Sequence, residues 1–219
     1  MLLIINITAP ENEENGNSTE SEYCVYGKCH FCNEDETVCG DDDNMIEGVI
    51  LYMVPGNIAK KRSPWQRSYK DNVKAPWEDD LNYCKAIKEK TETTRILDMV
   101  DVAIFDFLMQ NGDRHHYELR EDRVLLLDNG KAFGNPSKDF LDILAPLYQC
   151  CLLRKSTWER LQVFSGGTLT DLVDRLSKGD LLYPLITDKH KRAIERRLLV
   201  VYAVVEICID RYGEKILKT

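Results

Sequence analysis

"FDFLMQNGDRHHYELREDRVLLLDNGKAFGNPS", residues 105–137, decides the reading of this chain. An apolar stretch runs into "NGDRHHYE" around Asp113, and a second apolar stretch runs into "LLLDNG" around Asp128. The residues before and into the first turn, "RILDMVDVAIFDFLMQN" (95–111), place Ile96, Leu97, Val100, Ala103, Ile104, Phe107 and Leu108 at helical spacing. They predict an amphipathic helix that ends just before Asp113. "RVLLLDNG" (123–130) reads as a buried strand that ends in a turn. The hairpin between them returns the chain on itself and brings the two ends together. Asn-Gly before Asp113 and Asn-Gly after Asp128 favour tight turns with positive φ, which hold each carboxylate out at a loop.

That arrangement suits phosphoryl transfer. The reaction asks for one carboxylate to orient an attacking hydroxyl and take its proton, and another to hold the metal that neutralises the phosphates. Both must project from rigid elements into one cleft. The residues alone also allow blander readings, in which Asp113 pairs with Arg114 as a surface cap and Asp128 opens an ordinary turn. Paired carboxylates for glycoside hydrolysis are a further reading. His115 and His116 are core or surface histidines more readily than metal ligands.

Around this stretch, 219 residues give room for one substantial domain, or one and a small appendage. Hydrophobic content of 43% with 30% charged residues excludes a disordered chain. Residues 1–47 hold twelve Asp or Glu and one Lys, so −11 of the −8 total lies there and the remainder carries +3. The body is therefore mildly basic behind an acidic front. The longest apolar run, "LLVVYAVVEICI" (198–209), is too short to span a membrane and contains Glu206. "MLLII" has no basic region before it and makes a poor signal peptide.

Residues 9–22 are acidic and rich in turn formers, so residues 1–22 are expected to be a linker or disordered segment before a domain spanning 23–219. Asn6-Ile-Thr and Asn17-Ser-Thr fit the glycosylation sequon. "GVILYMVPG" (48–56) is a strand candidate and 57–83 is loop-rich. Helices are expected at roughly 139–154, 156–163 with 168–178, and 188–211. The expected fold class is α+β, mainly helical.

The eight cysteines are Cys24, Cys29, Cys32, Cys39, Cys84, Cys150, Cys151 and Cys208. Four of them, with His30, could form a zinc site, but the intervals of four, two and six residues lack the paired C-x-x-C spacing of zinc ribbons. Disulfides suit an even number better, and the adjacent Cys150 and Cys151 would each tie to a distant partner.

"DFLMQNGDRHHYE" with "LLLDNGKAFG" resembles the paired signature of the Golgi secretory-pathway kinases, the family of the Golgi casein kinase and glycosaminoglycan xylosylkinase. The likeness continues through "CVYGKCHFC", "SPWQRSYKDNVKAPWEDDLNYC" and "LAPLYQCCLLRKSTWERL" to the helix bearing Cys208. It covers nearly everything from residue 23 onward. Tyr148 and Trp158 make it most similar to the xylosylkinase branch, because the casein-kinase branch tends to have Gln and Tyr there.

The resemblance implies an atypical kinase-like C-terminal lobe that uses ATP with Mn2+ or Mg2+. It implies Asp113 as the catalytic residue, Asp128 as the metal ligand, and Glu118 with Leu51, Tyr52, Met53 and Val54 at the nucleotide. Segment 48–56 would then link the lobes, 95–137 would carry the catalytic and metal loops, and 139–219 would form a helical subdomain. Disulfides Cys24–Cys39, Cys29–Cys32, Cys84–Cys150 and Cys151–Cys208 are implied too. So are a Gal-Xyl acceptor from the proteoglycan linkage region, no nucleic acid, a homodimer or a heteromer with a relative, and the Golgi lumen. Trp65, Arg67, Tyr69 and Trp77 are candidates to stack on the sugar or contact an anionic linker, and packing residues are the more common reading, since buried aromatics dominate cores. The alternatives are a secreted-protein serine kinase and an inactive pseudokinase or binding fragment.

In the family, an N-terminal lobe supplies a phosphate-covering loop and a lysine. Nothing before residue 23 resembles it, and no Lys or Arg precedes Lys28. The expectation is a partial sequence whose 219 residues alone have no measurable kinase activity.

Overall fold

The computed structural model describes residues 55–219 except 69 and 71, together with three short strands of the preceding segment. The chain divides into two compact units, 1–56 and 57–219. In the first, β1 (Ile4–Asn6), β2 (Cys24–Lys28) and β3 (Thr37–Cys39) form an antiparallel sheet in that order. Its register sets Cys24 opposite Cys39. Cys29, Cys32 and the proposed nucleotide segment Leu51–Val54 lie outside the described residues.

The second unit opens with β4 (Ala59–Arg62), whose four residues are all exposed. Two short helices follow, α1 (Pro76–Asp79) and α2 (Tyr83–Lys90), before the long α3 (Thr93–Met109). Strands β5 (His116–Arg120) and β6 (Arg123–Leu125) form a hairpin, and β4 pairs antiparallel to β5 to complete a sheet of order β4-β5-β6. A short 3-10 helix (Leu141–Leu144) leads into α4 (Ala145–Cys150), then β7 (Leu153–Arg154), α5 (Lys155–Gln162), α6 (Thr168–Ser177) and α7 (Asp188–Tyr212). Strand β8 (Leu217–Lys218) pairs parallel to β7. The mixed, mainly helical class expected from the sequence holds.

Helix α3 is the axis of the unit because it is apolar on two sides. Val100, Ile104 and Phe107 pack into one cluster with Leu144, Leu147, Trp158, Leu198, Val201 and Val205. Ile96, Met99 and Val102 pack into a second cluster with Trp65, Trp77, Tyr117 and Ala145. Each large aliphatic buried this way contributes roughly 1.5–3 kcal/mol. Trp65 and Trp77 are therefore core residues, and their indole N–H groups donate to Gln149 Oε1 (2.8 Å) and to the Gln66 carbonyl (2.9 Å). Buried this way, they offer no open face for a sugar to stack on. Tyr69 lies outside the described residues.

Two disulfides fasten the helices. Cys84–Cys150 joins α2 to the end of α4, and Cys151–Cys208 joins the next residue to α7. They close intervals of 66 and 57 residues. On a chain-entropy account, each is worth about 4 kcal/mol. Between the two bonds the backbone turns: Cys151 takes φ 44°, which ends α4 and sends its side chain a different way from that of Cys150. The continuous helix expected at 139–154 is instead a 3-10 helix, α4 and the strand β7, and the break after α4 falls at Cys151. Among the described residues, no helix is long and apolar enough to cross a membrane.

Candidate active site

Helix α3 stops because Gln110 adopts the left-handed conformation, φ 60°, while its N–H still bonds back to the Asp106 and Phe107 carbonyls. The chain then passes through Asn111, Gly112, Asp113 and Arg114 into β5. After β6 it reaches Asp128, which is itself left-handed at φ 53°. Positive φ thus falls on Gln110 and Asp128, not on the Asn-Gly pairs that flank the aspartates. Aspartate tolerates this region at a cost of order 1 kcal/mol, and such cost tends to be stored at functional turns.

Two side chains hold the turns together. Asn111 is 1% exposed and lies between them. Its Oδ1 accepts the Asp113 N–H at 3.3 Å and its Nδ2 donates to the Asp128 carbonyl at 3.4 Å. Arg114 reaches the same turn from the other side. Its Nη2 donates to Asn129 Oδ1 at 2.7 Å and its Nη1 to the Leu127 carbonyl, so it grips both neighbours of Asp128.

Arg114 is itself anchored by Asp106 of α3, through two 2.8 Å bonds from Nε and Nη2. The pair is nearly sealed, with side-chain exposures of 7% and 2%. Burial lifts the Asp106 carboxyl above the ordinary value against the pull of Arg114. Burial also opposes the Arg114 charge, yet the bonds and charge of Asp106 outweigh it and raise the Arg114 pKa. Arg114 therefore does not form the surface cap with Asp113 that the sequence allowed. It is committed inward.

His115 supports Asp113 through its backbone: its N–H donates to the Asp113 carbonyl at 2.9 Å and its Nδ1 lies 2.8 Å from the same oxygen. Its ring meets His116 edge-on at 4.5 Å. Burial, then the nearby Lys60 charge, lowers His116 below the ordinary imidazole value. Along β5 the buried Tyr117 and Leu119 alternate with His116 and Glu118. Glu118 therefore sits on the face away from the core, opposite Lys60 of β4 and Leu125 of β6. Tyr117 is a packing residue, its hydroxyl pushed up to about 12 by burial.

Behind the first turn lies a cavity of about 50 Å³, lined by Ser63, Arg67, Asp106, Asn111, Gly112 and Arg114 among others. It has room for a few waters. Arg67 closes it, ion-paired to Asp142 and 5.3 Å above the Phe140 ring. A Cβ at Gly112 would come within 3.2 Å of Arg67 Nη1, so any side chain there would press on the guanidinium.

The structure thus joins the turns of Asp113 and Asp128 and sets Glu118 on the strand that leads out of the first. Sequence reasoning missed Asn111, Arg114 and Asp106 as the connectors. A signal existed: Asp106 is a charge within the apolar run "AIFDFL", and such a charge needs a buried partner. As for a metal, Asp128 offers exposed carboxylate oxygens at a turn. Among the described residues no group of three or more His, Cys, Asp or Glu converges. One or two carboxylates completed by phosphate and water is how Mg2+-type ions are bound in nucleotide sites, so the donor set fits such an ion.

Comparison with known proteins places this chain in a family. The chain is 69% identical over 209 residues to a glycosaminoglycan xylosylkinase homolog of Drosophila melanogaster, covering 95% of this chain and 49% of that protein. It spans about half the length of this curated relative and of two vertebrate glycosaminoglycan xylosylkinases that it also matches. Among solved structures, it matches that of hydra Fam20 with sugar at TM-score 0.72 and 40% identity, covering 91% of this chain and 60% of that one. It matches the Golgi casein kinase with Mn/ADP bound at TM-score 0.71 and 32% identity, covering 90% and 51%. The family model described as Fam20C, Golgi casein kinase, C-terminal, Fam20 matches residues 8–216, and the chain belongs to that family.

Proposed function

We propose that the intact protein is an ATP- and divalent-metal-dependent kinase that phosphorylates a hydroxyl of xylose in the glycosaminoglycan–protein linkage region. The observation that carries this reading is Asn111, whose one amide holds the turns of Asp113 and Asp128 together. The identity to a xylosylkinase homolog supports the acceptor. The likeness to a casein kinase with Mn/ADP bound supports the nucleotide and an Mn2+ or Mg2+ ion.

In this reading Asp113 orients the acceptor hydroxyl and takes its proton as the new O–P bond forms and the bond from the γ-phosphorus to the departing ADP oxygen breaks. Asp128 holds the ion, which when bound neutralises phosphate charge. Glu118, on the side of β5 away from the core, is assigned to the nucleotide. Arg114 keeps the Asp128 turn from drifting, because its own charge is fixed by Asp106. The disulfides suit an oxidising compartment and, with the family, support the secretory pathway and the Golgi lumen.

The test is phosphate transfer by the intact protein from ATP with Mn2+ to a Gal-Xyl acceptor and, separately, to casein. Labelling of the sugar is expected, with a loss of at least about 100-fold in Asp113→Ala, as for removal of a general base. Asp128→Ala should abolish metal-dependent nucleotide binding. Labelling of casein without the sugar would overturn the acceptor assignment.

A further inference from the structure

The two turns are also held from below, by a residue far along the chain. Arg197 of α7 is 1% exposed, though it is among the longest charged side chains. Its Nη1 donates to the Leu108 carbonyl at 3.0 Å and its Nη2 to Gln110 Oε1, so it grips the end of α3 that releases the Asp113 turn. The same guanidinium donates from Nη2 to the Lys138 carbonyl at 3.2 Å and from Nε to Asp139 Oδ1 at 2.8 Å. Lys138 and Asp139 end the segment that leaves the Asp128 turn.

Neighbouring bonds repeat the pattern. Gln110 Nε2 donates across to the Asn135 carbonyl at 3.4 Å, and the Phe133 N–H to the Met109 carbonyl at 2.8 Å. From α7, His190 Nε2 lies 3.1 Å from the Gly134 carbonyl and Arg196 donates to the Pro136 carbonyl at 2.8 Å. Carbonyls 134, 136 and 138 are therefore each met by a side chain of one helix. A planar fork with donors in fixed directions suits this task, and a lysine ammonium has no equivalent.

We propose that Arg197 is a positioning residue: it sets the separation of the Asp113 and Asp128 turns, and through it helix α7 controls how well the site takes up metal and nucleotide. The inference rests on the functional reading of those two aspartates given above. Helix α7 does not depend on Arg197 for its seat. Ala193, Leu198, Val201 and Val205 are buried beside it, and Cys208 is bonded to Cys151.

Arg197→Lys in the intact protein keeps the charge and removes the fork. The Mn2+ concentration giving half-maximal transfer to Gal-Xyl is expected to rise about tenfold or more, with kcat reduced at saturating Mn2+. Gln110→Asn suits the left-handed backbone but is too short to meet Arg197, and should shift the metal constant in the same direction. Arg154→Met removes a networked arginine elsewhere and serves as the destabilised control; it should lower Tm with the metal constant unchanged. An Arg197→Lys protein whose Tm falls while its metal constant and kcat stay at wild-type values would overturn the proposal.

Asp128→Asn in the same assay separates the two layers. If metal dependence survives it, the functional reading fails. Amide hydrogen exchange without nucleotide then decides the clamp alone. Faster exchange at 110–113 and 133–139 in Arg197→Lys, with 200–209 unchanged, supports it, and no change in the first two stretches overturns it.

Discussion

Helix α3 carries an ionic network at each end, and the two differ in burial. Near its start, Arg154 bonds Asp98 at 2.6 Å and also Asp101, while Arg95 bonds Asp98 at 2.9 Å and Asp122 at 3.2 Å. Exposures there run from 18% to 98%. Near its end, Asp106 and Arg114 are 2% and 7% exposed. The chemistry is the same, a guanidinium on carboxylates. At the open end water screens the charges and each pair is worth little. At the sealed end neither partner can be lost alone, because the survivor is left charged without water. The sealed network sits against the turn of Asp128, which Arg114 bonds on both sides.

This comparison can be broken by mutation. The largest effect expected is from Arg114→Leu, which strands Asp106 and should cost about 3–5 kcal/mol in urea unfolding. Asp106→Leu combined with Arg114→Met removes both charges, and most of that loss should return. Transfer activity should not return, since the Arg114 bonds to Leu127 and Asn129 are then gone; an active double variant would show that the pair serves stability alone. Arg154→Met at the open end should cost about 1 kcal/mol.

The smallest effect is pH dependence. Hydrogen bonds from Arg196, and then from Arg197, hold Asp139 below the ordinary carboxylate value. Its contribution is present above the unfolded value, about pH 4, and is lost as pH falls through the depressed folded one. Asp139→Asn should therefore narrow the gap between urea midpoints at pH 6 and pH 3.

The sequence made some of this legible and hid the rest for physical reasons. The spacing of Ile96, Val100, Ala103 and Phe107 announced α3, and "NGD" with "LLLDNG" announced the turns. Strand β4 went unseen because "AKKR" has no alternation and no buried residue. The break at Cys151 went unseen because a left-handed cysteine has no local signature. Asp106 was readable as a misplaced charge. Arg197 was not, because its partner carbonyls and carboxylate lie 58 to 89 residues away and nothing in "ERRLLVVY" points to them.

The adjacency of Cys150 and Cys151 has a consequence for how the molecule comes apart. The two covalent rings, 84–150 and 151–208, abut without a gap. A protease that cuts once in each ring leaves pieces that still migrate as one particle until reductant is added. Asp113 and Asp128 ride in the first ring and Arg197 in the second. A molecule nicked under oxidising conditions would keep the two aspartates and Arg197 on the same particle.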